Sequence, residues 1–122
     1  MQNEKEKFKK DFIRRLIKFS IETISYCDTF KNERKYWIIA DQLIRAATSI
    51  GANVVEAKSS SSRRDYIKFF EIALKSANET KYWLILVKEL TADKDNVNKL
   101  LTEAEEISKI IGSSVLTLKN KK

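Results

Sequence analysis

Arg45, Ser49, Asn53 and Glu56 recur at spacings of four, four and three, which puts them on one face of a helix inside an otherwise apolar stretch. Ser76 and Glu79, three apart and beside Ala73 and Trp83, offer a second polar stripe on the next segment. If the two segments are neighbours, the stripes meet as a buried polar layer. In that layer Arg45 is expected to pair with Glu79 or Glu56, and Asn53 to bond the facing helix or a terminus. Buried polar groups of this kind set register and partner choice. Lining a ligand or RNA site is the other chemistry these residue types allow. A second group is cationic: Arg14, Arg15 and Lys18 early in the chain, and Arg63, Arg64 and Lys68 past its middle, with Lys9 and Lys10 able to assist. Such side chains bind phosphates and release their counterions. Tyr66 could stack on a base, although its helical spacing points first to a core or interface role.

Other chemistries lack their residues. Histidine is absent, which removes the commonest general base and the commonest metal ligand. A di-metal site in a helical bundle uses Glu-x-x-His on two helices, and a zinc site wants several Cys or His. No glycine-rich loop with lysine cradles phosphates, and no Gly-x-Ser-x-Gly elbow presents a nucleophile. Glu103, Glu105 and Glu106 read as an exposed helix surface rather than a Mg²⁺ site. No enzyme activity, metal or cofactor is expected.

These groups need a scaffold, and composition narrows its kind. The 122 residues suffice for one domain, and 43% hydrophobic with 34% charged residues is a globular balance. Proline is absent and glycine occurs twice, so tight turns are few and long helices many. The formal charge of +7 favours polyanionic partners. The single cysteine, Cys27, lies inside a helical pattern and suits a buried thiol in a reducing cytoplasm. Met1 to Lys10 alternates acid and base, unlike a signal peptide. The longest apolar run, Tyr82 to Val87, is far short of the roughly 20 residues of a membrane span. A soluble, cytoplasmic protein is expected.

Periodicity predicts four helices, at about 5–29, 34–58, 63–90 and 93–119. The first carries Phe8, Phe12, Leu16, Phe19 and Ile24 on its apolar face; Asp28, Thr29 and Asn32 are the capping-type residues at the following break. The second is apolar on two faces, one through Ile39, Leu43, Ile50 and Val54 and the other through Ala40, Ile44, Ala47, Gly51 and Val55. A helix so apolar is either central or shared with another subunit. Ser59 to Ser62 form a linker, and Ser62 with Asp65 resembles a capping box. Residues 82–87 favour strand locally, but their helical flanks outweigh this. In the fourth helix Gly112 is a place for a bend. Short connections make an antiparallel, up-down-up-down four-helix bundle the simplest all-α arrangement, a single domain over residues 1–122.

The stretch Gln42-Leu43-Ile44-Arg45-Ala46-Ala47-Thr48-Ser49-Ile50-Gly51-Ala52-Asn53-Val54-Val55-Glu56-Ala57 resembles the signature of the four-helix bundle protein family. Its members include proteins encoded in intervening sequences of bacterial 23S ribosomal RNA genes. The likeness continues through Ser62 to Ile67, Ile72 to Lys75 and Glu79 to Leu84. Ala47 departs from a more usual Gly or Ser, and Ser76 and Asn78 from a frequent Glu and Arg. The resemblance implies a homo-oligomeric ring, commonly a homopentamer, with a positive surface and no enzyme activity. It also implies kinship with accessory proteins of diversity-generating retroelements, hence RNA or DNA and a reverse transcriptase as partners. The leading expectation is therefore a non-catalytic, oligomeric RNA- or DNA-binding protein using Arg14, Arg15, Lys18, Arg63, Arg64 and Lys68. The alternative is an interaction scaffold without nucleic acid. A membrane-surface role for the Lys- and Phe-rich first helix ranks third.

Overall fold

The computed structural model describes residues 3–30 and 33–121. Four helices account for nearly all of them: α1 (Glu4–Cys27), α2 (Arg34–Lys58), α3 (Arg63–Leu90) and α4 (Lys94–Asn120). Their starts are capped by side chains where the sequence provides them. Asn3 accepts from the Glu6 amide at 2.8 Å, and Ser62 from the Asp65 amide at 3.1 Å, each satisfying one of the amides a helix start leaves free. Helix α1 ends at Cys27, two residues before the expected limit. Thr29 and Phe30 then fold back in a turn, and Phe30 packs edge-on against Tyr26 with ring centroids 5.2 Å apart. The cap expected at Asn32 lies outside the described residues, as does Lys122.

Contacts join α1 to α2, α2 to α3, α3 to α4 and α1 to α4, so α1 and α3 stand diagonally across the bundle. Across the α2–α3 seam, Tyr36 reaches Leu90, Arg45 reaches Glu79 and Ser49 reaches Ser76, so numbers fall along α3 as they rise along α2. The core is a column of fully buried side chains from all four helices, led by Leu16, Phe19, Leu43, Ile50, Leu84 and Ile107. Gly51 lies where a Cβ would sit 3.5 Å from the Leu16 Cβ, an ordinary contact between closely spaced helices.

The burial pattern of α1 differs from the pattern-based expectation, whereas residues 82–87 follow theirs. On α1, Phe8 and Ile24 are exposed, while Thr23 is fully buried and returns its hydroxyl to the Phe19 carbonyl at 2.8 Å. A threonine can enter a core this way because its only donor finds a partner one turn back. Residues 82–87 are helical, with Leu84 and Val87 buried and Tyr82 and Ile85 exposed; spacing, not strand preference, decides. Helix α4 remains helical through Gly112.

Helix burial leaves a remainder. Ile17, Ile21 and Ile24 on α1 and Trp37, Ile38 and Val55 on α2 are all exposed, on two adjacent helices. No described helix is long and apolar enough to cross a membrane.

Candidate nucleic-acid interface

The two cationic triplets meet different surroundings. On α1, Arg15 donates through Nε and Nη2 to both carboxylate oxygens of Glu103, at 2.7 and 2.6 Å, and through Nη2 to Glu106 at 2.6 Å. Glu103 and Glu106 are three apart on α4 and so share the face that abuts α1. The hydrogen bond from Arg15 holds the Glu103 carboxyl below the usual carboxylate range, and the bond to Glu103 raises the guanidinium further above its already high value. Two expectations change here. Arg15 is committed to an interhelical fork rather than offered to phosphate, and Glu103 and Glu106 are its acceptors rather than plain exposed surface. Arg14 and Lys18 stay in solvent, with loose pairs to Asp11 at 3.9 Å and Glu22 at 3.8 Å.

At the start of α3 the balance is reversed. Arg63 is the exception, because its Nη2 donates to the carbonyls of Leu118 and of Lys121, the latter at 2.9 Å. These carbonyls belong to the end of α4, where a helix leaves acceptors unpaired and its dipole favours a cation. Arg63 thus ties α3 to α4 and is not a free phosphate ligand as expected. Arg64 and Lys68 are exposed, one turn apart, with no carboxylate within 4.0 Å among the described residues. They line a shallow open depression of about 590 Å³ with Lys119 and Lys121. Lys119 is bridged to Glu71 at 2.7 Å. Lys58, Lys119 and Lys121 are not among the cationic residues that the sequence points to as phosphate ligands. The available signal is that lysines close α2 and α4, where helix dipoles favour them. Arg14 and Lys18 are not among the residues lining the depression that holds Arg64 and Lys68. Lys9 lies with its Nζ 5.4 Å from the Tyr66 ring centroid, and Tyr66 stacks on Phe70 at 5.0 Å. Lys10 is exposed.

The polar stripe also takes definite form. Arg45 donates to Glu79 and to Gln42 Oε1, the latter at 3.0 and 3.2 Å, and the Trp83 indole N–H donates to Glu79 at 3.1 Å. Ser49 and Ser76 hydroxyls bond across the seam at 2.9 Å. The layer is not the buried one expected, for the Arg45 side chain is 55% exposed and that of Glu79 32%. Asn53 donates to Ser49 within its own helix, at 2.8 Å to the carbonyl and 3.0 Å to the hydroxyl, rather than to a facing one. Glu56 is exposed and forms no ion pair among the described residues. Gln42 and Trp83 are the members that the stripe reading missed.

The remaining chemistry is sparse. Burial pushes the Cys27 thiol up to about 12, far from the thiolate a nucleophile needs. Among the described residues no three His, Cys, Asp or Glu gather as metal ligands would.

With this geometry in place, comparison with known proteins supplies the wider setting. No curated protein matches the chain. A solved structure of a protein of the S23 ribosomal protein family from Bacteroides thetaiotaomicron, itself of unknown function, is similar at 32% identity and a TM-score of 0.79. The match covers 85% of this chain and 97% of that one. The family model of the 23S rRNA-intervening sequence protein matches residues 9–113. Helices of the right number, packed as a bundle and matched along most of their length, make the chain a member of the 23S rRNA-intervening sequence protein family.

Proposed function

We propose that this protein is a non-catalytic, antiparallel up-down-up-down bundle that joins copies of itself into a ring and binds RNA along the edge formed by Arg64 and Lys68. The observation that carries the reading is the unneutralised charge at the start of α3. Arg64 and Lys68 lack acidic partners among the described residues, and Lys58 and Lys121 close the neighbouring helices beside them. Assembly is supported by the exposed isoleucines of α1 and the exposed Trp37, Ile38 and Val55 of α2, a remainder of the kind that marks an interface. Repeating one weak cationic edge around a ring multiplies its affinity through avidity. The family's pentamer is the expected ring, and its cytoplasmic setting the expected place.

Fluorescence anisotropy with a labelled single-stranded RNA tests the binding. Four phosphate contacts per subunit give log K against log salt a slope of about −3. Binding that ignores salt, or no binding at low salt, overturns it. Light scattering tests the ring, with five times the 14.2 kDa of one chain expected and a stable monomer at micromolar concentration overturning it. The same exposed apolar surface favours a second reading, a scaffold for a protein partner such as a reverse transcriptase. Purification with one such partner and no RNA selects that reading.

A further inference from the structure

At the same end of the bundle all four helices leave a cleft of about 360 Å³. Its floor is apolar, with Phe12, Val54 and Phe70 buried beneath it and Ile13 and Leu118 half-buried at its sides. Beside Leu118, α4 contributes Ser113, Ser114 and Thr117 to the lining, side chains too short to fill the space. Phe8 stacks on Phe12 with centroids 6.2 Å apart and remains 57% exposed, an aromatic wall without a covering partner. The rim has one sign of charge. Lys5, Lys9, Lys58 and Lys121 line it, no acidic residue is among the described lining residues, and none of the four lysines has a carboxylate within 4.0 Å among them.

An apolar floor under a rim whose described charges are all cationic suits an amphiphile with an anionic head. We propose that this cleft binds a single-chain amphiphile with an anionic head, a free medium-chain carboxylate, with its alkyl chain against Phe8, Phe12 and Phe70 and its head among the lysines. The cleft's volume falls within the range of small-molecule sites, at the lower end, so one chain fits and a two-chain lipid does not. Lysine stems extend the apolar wall while their ammonium groups stay at the water boundary, where the carboxylate sits. A neutral alcohol of equal length gains the floor but not the rim, and an alkylammonium is repelled by it.

The test is displacement of anilinonaphthalene sulfonate from the full chain by carboxylates of six to twelve carbons, below their micelle concentrations. Decan-1-ol and decylammonium serve as head-group controls. One decanoate per chain is expected, with affinity rising roughly threefold to fourfold for each added methylene until the cleft is full. Decan-1-ol binds at least tenfold more weakly and decylammonium not at all. Thr117→Trp fills the cleft from an exposed position of α4 and abolishes displacement, with circular dichroism checking that the helices are retained. The double substitution Lys5→Glu and Lys9→Glu weakens decanoate at least tenfold and leaves decan-1-ol unchanged. No displacement by decanoate, equal affinity for decanoate and decan-1-ol, or full decanoate binding by the Thr117→Trp protein each overturns the proposal. A cleft covered by a second copy in the ring falls under the first of these outcomes.

Discussion

Arg15 on α1 and Arg64 on α3 carry the same guanidinium, each within a local run of basic residues, and only one of them is left to meet a ligand. Arg15 finds Glu103 and Glu106 across the α1–α4 seam, while Arg64, exposed at the start of α3, has no carboxylate within 4.0 Å among the described residues. The difference lies in the partner helix, not in the basic residues. A cation abutting a helix with carboxylates at i and i+3 becomes part of the fold. A cation at a helix start, on an edge with no such helix opposite, keeps its charge for other molecules.

Substitution separates the two roles. Removing both Arg64 and Lys68 by alanine reduces the salt slope of RNA binding by about 1.4 units and lowers affinity at low salt on the order of tenfold, measured by anisotropy. Stability to urea is unchanged by that pair. Arg15→Ala does the reverse, costing about 1–2 kcal/mol in urea unfolding as Glu103 and Glu106 lose their shared donor, while the salt slope stays as it is. The side chains of Arg15 and Glu103 are about a third exposed, which keeps the cost below that of a buried pair.

The same fork has a pH signature. Glu103 titrates lower in the folded chain than in the unfolded one, so the unfolded state binds more protons in between. Its contribution is complete above the unfolded value of about 4.3 and is lost as pH falls through the lower folded value. Denaturation midpoints taken from pH 6 downward show a fall that Glu103→Gln flattens, by less than about 1 kcal/mol. The smallest effect is expected at Arg45, because that side chain is more than half exposed. Arg45→Ala costs about 0.5 kcal/mol, and a loss of about 3 kcal/mol or more would restore the buried layer that its spacing suggests.

Helix starts and the core column are legible in the sequence because they depend on neighbours three or four residues away. Ser62 followed by Asp65 marks the start of α3, and Ile39, Leu43, Ile50 and Val54 trace the buried face of α2. The strand-like run at 82–87 yields to the same periodicity. What escapes the sequence depends on distant residues. Arg63 reads as a phosphate ligand until the end of α4 arrives beside it, and Glu103 reads as solvent-facing until α1 covers it. Phe8 is exposed although its spacing suggests burial, and Thr23 is buried beside an exposed Ile24 because its hydroxyl finds the Phe19 carbonyl within its own helix. The cleft beneath Phe8 has no local signature, being built from one short stretch of each helix.

The seam between α1 and α4 has a kinetic consequence. Every other helix contact joins neighbours in the chain, whereas Arg15 and Glu103 are 88 residues apart. Local hairpins close cheaply, and joining the first helix to the last costs the largest loop entropy. That joint is therefore expected to zip after the folding transition state and to be the first to let go. Stopped-flow measurements on Arg15→Ala are expected to show faster unfolding with a nearly unchanged folding rate, placing the fork on the native side of the barrier.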